Sequence, residues 1–169
     1  MKIIFKLTEV LLQRVKEDLR RPHPFAFERV GFISSRSGRI PPNGWVILGY
    51  DYHPVDDEDY VPCASVGALI GPGAMRKALQ VAYNEPLSMV HVHSHDHRGT
   101  PAFSKVDLRE SARFVPNVWN VRPNLPHAAI VLSEDSLCGF GWEPGSQRRI
   151  PIGDFTIVGV PLRIIRKNT

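Results

Sequence analysis

The sequence predicts an α+β fold in which a mixed, curved β-sheet of about six or seven strands is flanked by about three helices. Three observations carry this expectation. Short segments rich in β-branched and aromatic residues recur between Gly, Pro, Asn and Asp turn signals. Other segments repeat apolar residues at helical spacing. The 169 residues, 43% hydrophobic and 22% charged, suit a single globular domain over 1–169 that buries a core without disulfides or a structural metal.

The elements follow in order. Residues 2–7 alternate as a short strand, and Thr8 has the side chain of a helix N-cap. Leu11, Leu12, Val15 and Leu19 recur on one face of the helix that follows, until Arg21-Pro22-His23-Pro24 breaks it. Residues 27–34 read as a strand with one acid, Glu28, inside it. Turns at Ser37-Gly38 and Pro41-Pro42-Asn43-Gly44 lead to a partner strand over 45–52. Asp56-Asp57-Glu58-Asp59 is most simply a solvated loop. Residues 74–83 form a helix with Met75, Ala78, Leu79 and Ala82 on one face, and 87–93 form a strand. Ser104 caps a helix over 106–114 that ends before Pro116. Residues 127–133 and 137–142 make a hairpin-like pair, and 155–165 one more long strand.

Composition narrows the function classes. Lys plus Arg total 21 against 17 acids, a net charge of +4. The excess is dispersed over Arg20-Arg21, Arg148-Arg149 and 163–167 rather than gathered in an aromatic-interleaved stripe. No nucleic-acid partner is expected on that footing. Cys63 and Cys138 form no CxxC pair and read as thiols in a reducing compartment. No apolar run approaches the ~20 residues of a membrane span. The first residues lack a signal-peptide apolar region and cleavage site, so a cytoplasmic protein with no membrane partner is expected.

The chemistry concentrates at His93-Ser94-His95, followed by Ser104-Lys105-Val106-Asp107. Two imidazoles and one carboxylate make a three-ligand set for a catalytic zinc and leave a fourth position for water. Residues two apart on a strand share a face, and Asp107 arrives from the helix that Ser104 caps. His91, His93, His95 and His97 all alternate, so the register stays open. Pairing 91 with 93 leaves ten residues before Ser104, 93 with 95 leaves eight, and 95 with 97 leaves six. Each residue also has an ordinary role. A lone Glu28 in a strand usually faces solvent, Ser104 can be only a cap, and Asp107 fits the fourth place of a capping box.

Glu28 with Gly31, then His93-Ser94-His95, then Ser104-x-x-Asp107, resembles the JAMM motif of the MPN-domain zinc metalloproteases. These include deubiquitinating isopeptidases and small bacterial JAB-type relatives. The loop from Asp96 to Phe103 is one residue longer than the family's usual spacing, and the His-Ser-His triplet selects the 93/95 pair. The resemblance implies an MPN/JAB-like, cytidine-deaminase-like architecture. It also implies zinc (Zn2+) on His93, His95 and Asp107, Glu28 as general base acting on a zinc-bound water, and Ser104 as donor to the oxyanion. The implied reaction is hydrolysis of the amide or isopeptide bond at the C-terminus of a ubiquitin-like protein, in processing or deconjugation. Release of an amino acid from a sulfur-carrier protein's C-terminus and a non-catalytic MPN-type scaffold are the alternatives. An E1-like activating enzyme is an expected companion in the same pathway. His91, His97, Arg98 and Phe103 are candidates to support the site or touch substrate, with 51–61 and 96–103 bordering the cleft.

Overall fold

The computed structural model describes residues 1–22, 27–63, 67–146 and 148–166. Strand β1 (Lys2–Thr8) buries Ile3, Phe5 and Leu7 on one face and runs straight into helix α1 (Glu9–Leu19). Thr8 makes the switch. Its backbone is extended, and its hydroxyl accepts from Leu11 N at 3.1 Å, satisfying one of the donors that a helix start leaves unpaired. Next come β2 (Val30–Ile40), β3 (Gly44–Pro54), a 3-10 turn at Asp57–Asp59, α2 (Pro72–Asn84) and β4 (Ser88–Ser94). The chain ends with α3 (Lys105–Trp119), β5 (His127–Leu132), β6 (Leu137–Trp142), β7 (Arg149–Val158) and β8 (Arg163–Arg166).

The sheet closes on itself. β1 lies parallel to both β3 and β7, so seven strands run round a ring in the order β1-β3-β2-β4-β5-β6-β7, and β8 hangs on β7. This corrects the expected fold: the described residues form a closed barrel with three α-helices, not an open α+β sheet of MPN/JAB-like, cytidine-deaminase-like architecture. The physical reason lies in β7. Its start, Arg149 to Pro151, pairs with β6, while Ile152 onward pairs with β1 and draws the last part of the chain onto the first. Alternating apolar residues report that a strand has a buried face, not which strands lie beside it.

Local differences have local causes. β2 begins at Val30, so Glu28 stands on a bend before the strand rather than inside it. Ser37-Gly38 continues β2, because the antiparallel ladder with β3 holds as far as Ile40. α3 runs through Pro116 to Trp119, and its Phe114, Val115 and Val118 are buried; packing of that face outweighs the proline's missing donor. The long strand expected over 155–165 splits into β7 and β8 around a turn at 159–162. His23, Pro24 and Lys167 lie outside the described residues.

Two apolar clusters sit on the two faces of the sheet. Inside the ring, side chains from all seven strands pack around Leu11, Leu12, Val15 and Leu19 of α1. Outside it, α2 and α3 cover Val30 and Phe32 of β2, Met89 of β4 and Ala129 of β5. The pleat therefore sorts β4: Val90 and Val92 face the ring, while Met89, His91 and His93 face α3. Among the described residues no helix is long and apolar enough to cross a membrane.

Candidate metal centre

His95 follows the last residue of β4, yet its N–H still donates to Leu132 O at 2.9 Å and continues the β4–β5 ladder. The alternation of the strand is thereby kept for one more residue, and His95 joins His93 on the face that meets the start of α3. There Ser104 Oγ accepts from Asp107 N at 3.2 Å, and Asp107 Oδ2 accepts from Ser104 N at 2.6 Å, a reciprocal capping box. The same Oδ2 lies 3.4 Å from His93 Nε2 and 3.6 Å from His95 Nε2. Glu28 Oε1 stands 3.9 Å from His95 Nε2. Ligand atoms of Glu28, His93, His95 and Asp107 all lie within 4.8 Å of one another, and this group could hold a metal ion.

The chemistry of the group fits a cation. Among the described residues neither ring nitrogen of His93 makes a hydrogen bond, on a side chain only 2% exposed that faces Asp107. A buried polar atom left so costs about 1–3 kcal/mol, and an ion accepting the lone pair removes that cost. Ligands about 2.0–2.2 Å from one tetrahedral ion stand roughly 3.3–3.6 Å apart, the spacing of Asp107 from the two histidines. Burial acts to push the Asp107 carboxyl up, but His93 and the hydrogen bonds from Ser104 outweigh it. They hold Asp107 well below the usual carboxylate range, ionised as a ligand requires.

Glu28 is positioned by contacts that no motif announces. The N–H groups of Phe27 and Glu28 both donate to Gly67 O at 2.9 Å. A Cβ on Gly67 would fall 2.3 Å from Glu28 Oε2, so any other residue there makes the carboxylate shift. Arg29, 2% exposed, donates to the carbonyls of Arg21 and Pro22 at 2.9 Å and to Asp57 Oδ1 at 2.7 Å. Val30 N donates to Tyr60 Oη at 2.9 Å. Gly31 has a packing role: a Cβ there would strike the Tyr52 ring, whose hydroxyl donates to Asp18 at 2.6 Å.

The other candidates take different places. His97 lies outside the group, its exposed ring bonded to Arg98 O at 2.9 Å. The Arg98 side chain turns to Glu134 at 2.8 Å, and Phe103 packs between the rings of His93 and Phe140. His91 is held between Phe32, Phe114 and His93; burial lowers its pKa to about 3 and keeps it neutral. Neither 51–61 nor 96–103, the stretches expected to border the cleft, lines the cavity of about 390 Å³ beside the group; Gly67 to Ile70 and Met75 do. Cys63 and Cys138 form no disulfide and stand outside the group. Neither a protein-family model nor a curated protein sequence matches this chain.

Proposed function

We propose that the chain is a zinc-dependent hydrolase of amide or isopeptide bonds. The observation that supports it is the buried His93 ring beside His95 and Asp107, its nitrogens without a hydrogen bond among the described residues, with a second carboxylate, Glu28, in the same group. Three ligands with one open position are the arrangement of catalytic rather than structural zinc. When bound, the ion would polarise a scissile carbonyl and bring a coordinated water's pKa toward about 7.

The chain's own groups do the rest. Glu28 takes a proton from the attacking water as the carbonyl carbon becomes tetrahedral, and returns it to the departing amine as the C–N bond breaks. Ser104 Oγ accepts from Asp107 N and so keeps its own O–H to donate to the oxyanion, a contribution of about 3 kcal/mol. Asp107 is anchored by Ser104 N while it faces both histidines.

The JAMM resemblance directs the substrate proposal to the C-terminus of a ubiquitin-like protein, processed or deconjugated, with an E1-like activating enzyme in the same pathway. A sulfur-carrier protein losing a C-terminal amino acid is the alternative substrate, and product masses separate the two. The test is to incubate purified protein with ubiquitin-like fusions, with and without a zinc chelator, and to weigh the products. Cleavage that adds one water across the two fragments and stops with chelator is expected. Glu28→Gln is expected to lose cleavage while keeping stoichiometric zinc; full activity in that variant removes Glu28 as the base. A second reading rests on Glu28 lying within the same 4.8 Å group. If it is a fourth ligand, the site is closed and structural, and Glu28→Gln loses the metal instead.

A further inference from the structure

The cavity beside the cluster is far larger than a glycine needs. At about 30 Å³ per water molecule, its volume of about 390 Å³ holds on the order of a dozen waters. One end is the polar group of Glu28, His93, His95 and Asp107. Much of the remaining lining is apolar: Ile70, Met75 and Val106 are partly exposed there, and behind them lie Phe32 and Phe114, 2% and 3% exposed, with the His91 ring beside them. Three of these are rings in mutual contact: Phe32 lies 5.1 Å from Phe114 and 5.6 Å from His91, and His91 lies 6.0 Å from Phe114. His91 in turn stands 5.8 Å from His93, so the ring wall runs up to a metal-ligand candidate. Glu110 and Arg113, which also border the cleft, are paired with each other at 3.3 Å.

We propose that this cleft is a specificity pocket for an aromatic side chain that flanks the scissile bond. The inference rests on the amide-hydrolase reading and adds what that reading lacks, a feature selecting the substrate. A glycine beside the bond leaves the apolar lining wet. An aliphatic side chain displaces the water, and an aromatic one displaces more of it and brings its ring edge up to the buried Phe32 and Phe114 rings and the His91 ring that back the cleft. For a diglycine-tailed carrier the aromatic residue is then the one after the second glycine. The bond cut is a main-chain peptide bond of a precursor, not an isopeptide bond to lysine.

The test separates binding from cleavage. Zinc-loaded Glu28→Gln protein, with hydrolysis blocked, is titrated by calorimetry with the N-acetyl amides of phenylalanine, leucine and glycine. The phenylalanine amide is expected to bind at least about tenfold more tightly than the glycine amide. Met75→Trp in the same background, filling the cleft from α2, is expected to abolish that preference; the ligand comparison stands without this variant if it fails to fold. Equal affinity for phenylalanine and glycine, or no measurable binding of the phenylalanine amide, overturns the pocket. Wild-type hydrolysis of the same amides is scored separately. Cleavage without preference sinks the pocket and leaves the hydrolase; a binding preference with no cleavage of any amide or fusion sinks the hydrolase and leaves the pocket.

Discussion

A single methyl group decides whether Glu28 can stand where it does. In Gly67→Ala the new Cβ would meet Glu28 Oε2 at 2.3 Å, so the carboxylate must move. A displacement of about 1 Å in a catalytic group costs roughly 10²-fold in rate. We expect a fall of that order in kcat with metal content unchanged, read by mass spectrometry of the metallated protein; an unaltered kcat would show that Glu28 has no positional role. Ser104 permits a cleaner separation of structure from chemistry. Ser104→Ala is expected to lose about 1 kcal/mol of stability with the cap and about 10²–10³ in kcat with the donor. Ser104→Gly should keep stability within a few tenths of a kcal/mol yet lose the same factor in kcat. If the glycine variant is fully active, Ser104 is a cap and nothing more. These residues were unequally legible. Ser104 and Asp107 are visible because their i, i+3 spacing is at once a capping box and a ligand presentation. Gly67 is invisible, since its only signature is the space it leaves to a side chain 39 positions earlier, from Glu28 to Gly67.

Between elements, His127 ties the start of β5 to its surroundings. Its Nδ1 accepts from Met89 N of β4 at 3.0 Å, so Nε2 carries the proton and donates to Arg122 O at 3.1 Å. The residue is 0% exposed, and burial lowers its pKa to about 4 against the weaker opposing effect of the Arg122 carbonyl. The folded state therefore holds His127 neutral where an unfolded chain, with a pKa near 6.5, takes up a proton. Its contribution to stability is fully present above about pH 6.5 and is lost as pH falls toward about 4. The loss is on the order of 3 kcal/mol. Urea unfolding at pH 7, 5.5 and 4 should show a shallower decline in His127→Gln than in the parent protein; parallel declines would remove His127 as the source. The strand at His127 is legible in the sequence but its hydrogen bonds are not, because their partners come from β4 and from the connection after α3.

At the scale of the molecule, the candidate metal centre joins three segments that are distant in sequence: the bend before β2, the end of β4 and the first turn of α3. An ion held there binds the folded chain and not the unfolded one, so it acts as a clamp. At a free metal concentration about 100 times Kd, the linkage is worth about 2.7 kcal/mol. For a chain of this length that is a Tm shift of roughly 5–10 °C. Calorimetry with and without chelator should show it, and Asp107→Asn should abolish it; an unchanged Tm in the native protein would mean that no ion is held.

The sequence by itself determined the elements and the composition of the cluster. Apolar periodicity placed all three helices and most strands, because burial of one face leaves a local pattern of period 3.6 or 2. Residue type and spacing brought out the alternating histidines, Ser104 and Asp107, because capping and same-face presentation are also local; Glu28 stood out only through the JAMM resemblance. Only the tertiary structure decided the rest. Closure of the ring depends on β7 leaving β6 for β1, a pairing between the two ends of the chain that no local pattern encodes. The place of His95 depends on a ladder bond to Leu132, which keeps it on the face of His93 while His97 turns away to Arg98. The ring-lined cleft depends on α2 and α3 lying across one sheet face, and side chains from four elements meet there through packing alone.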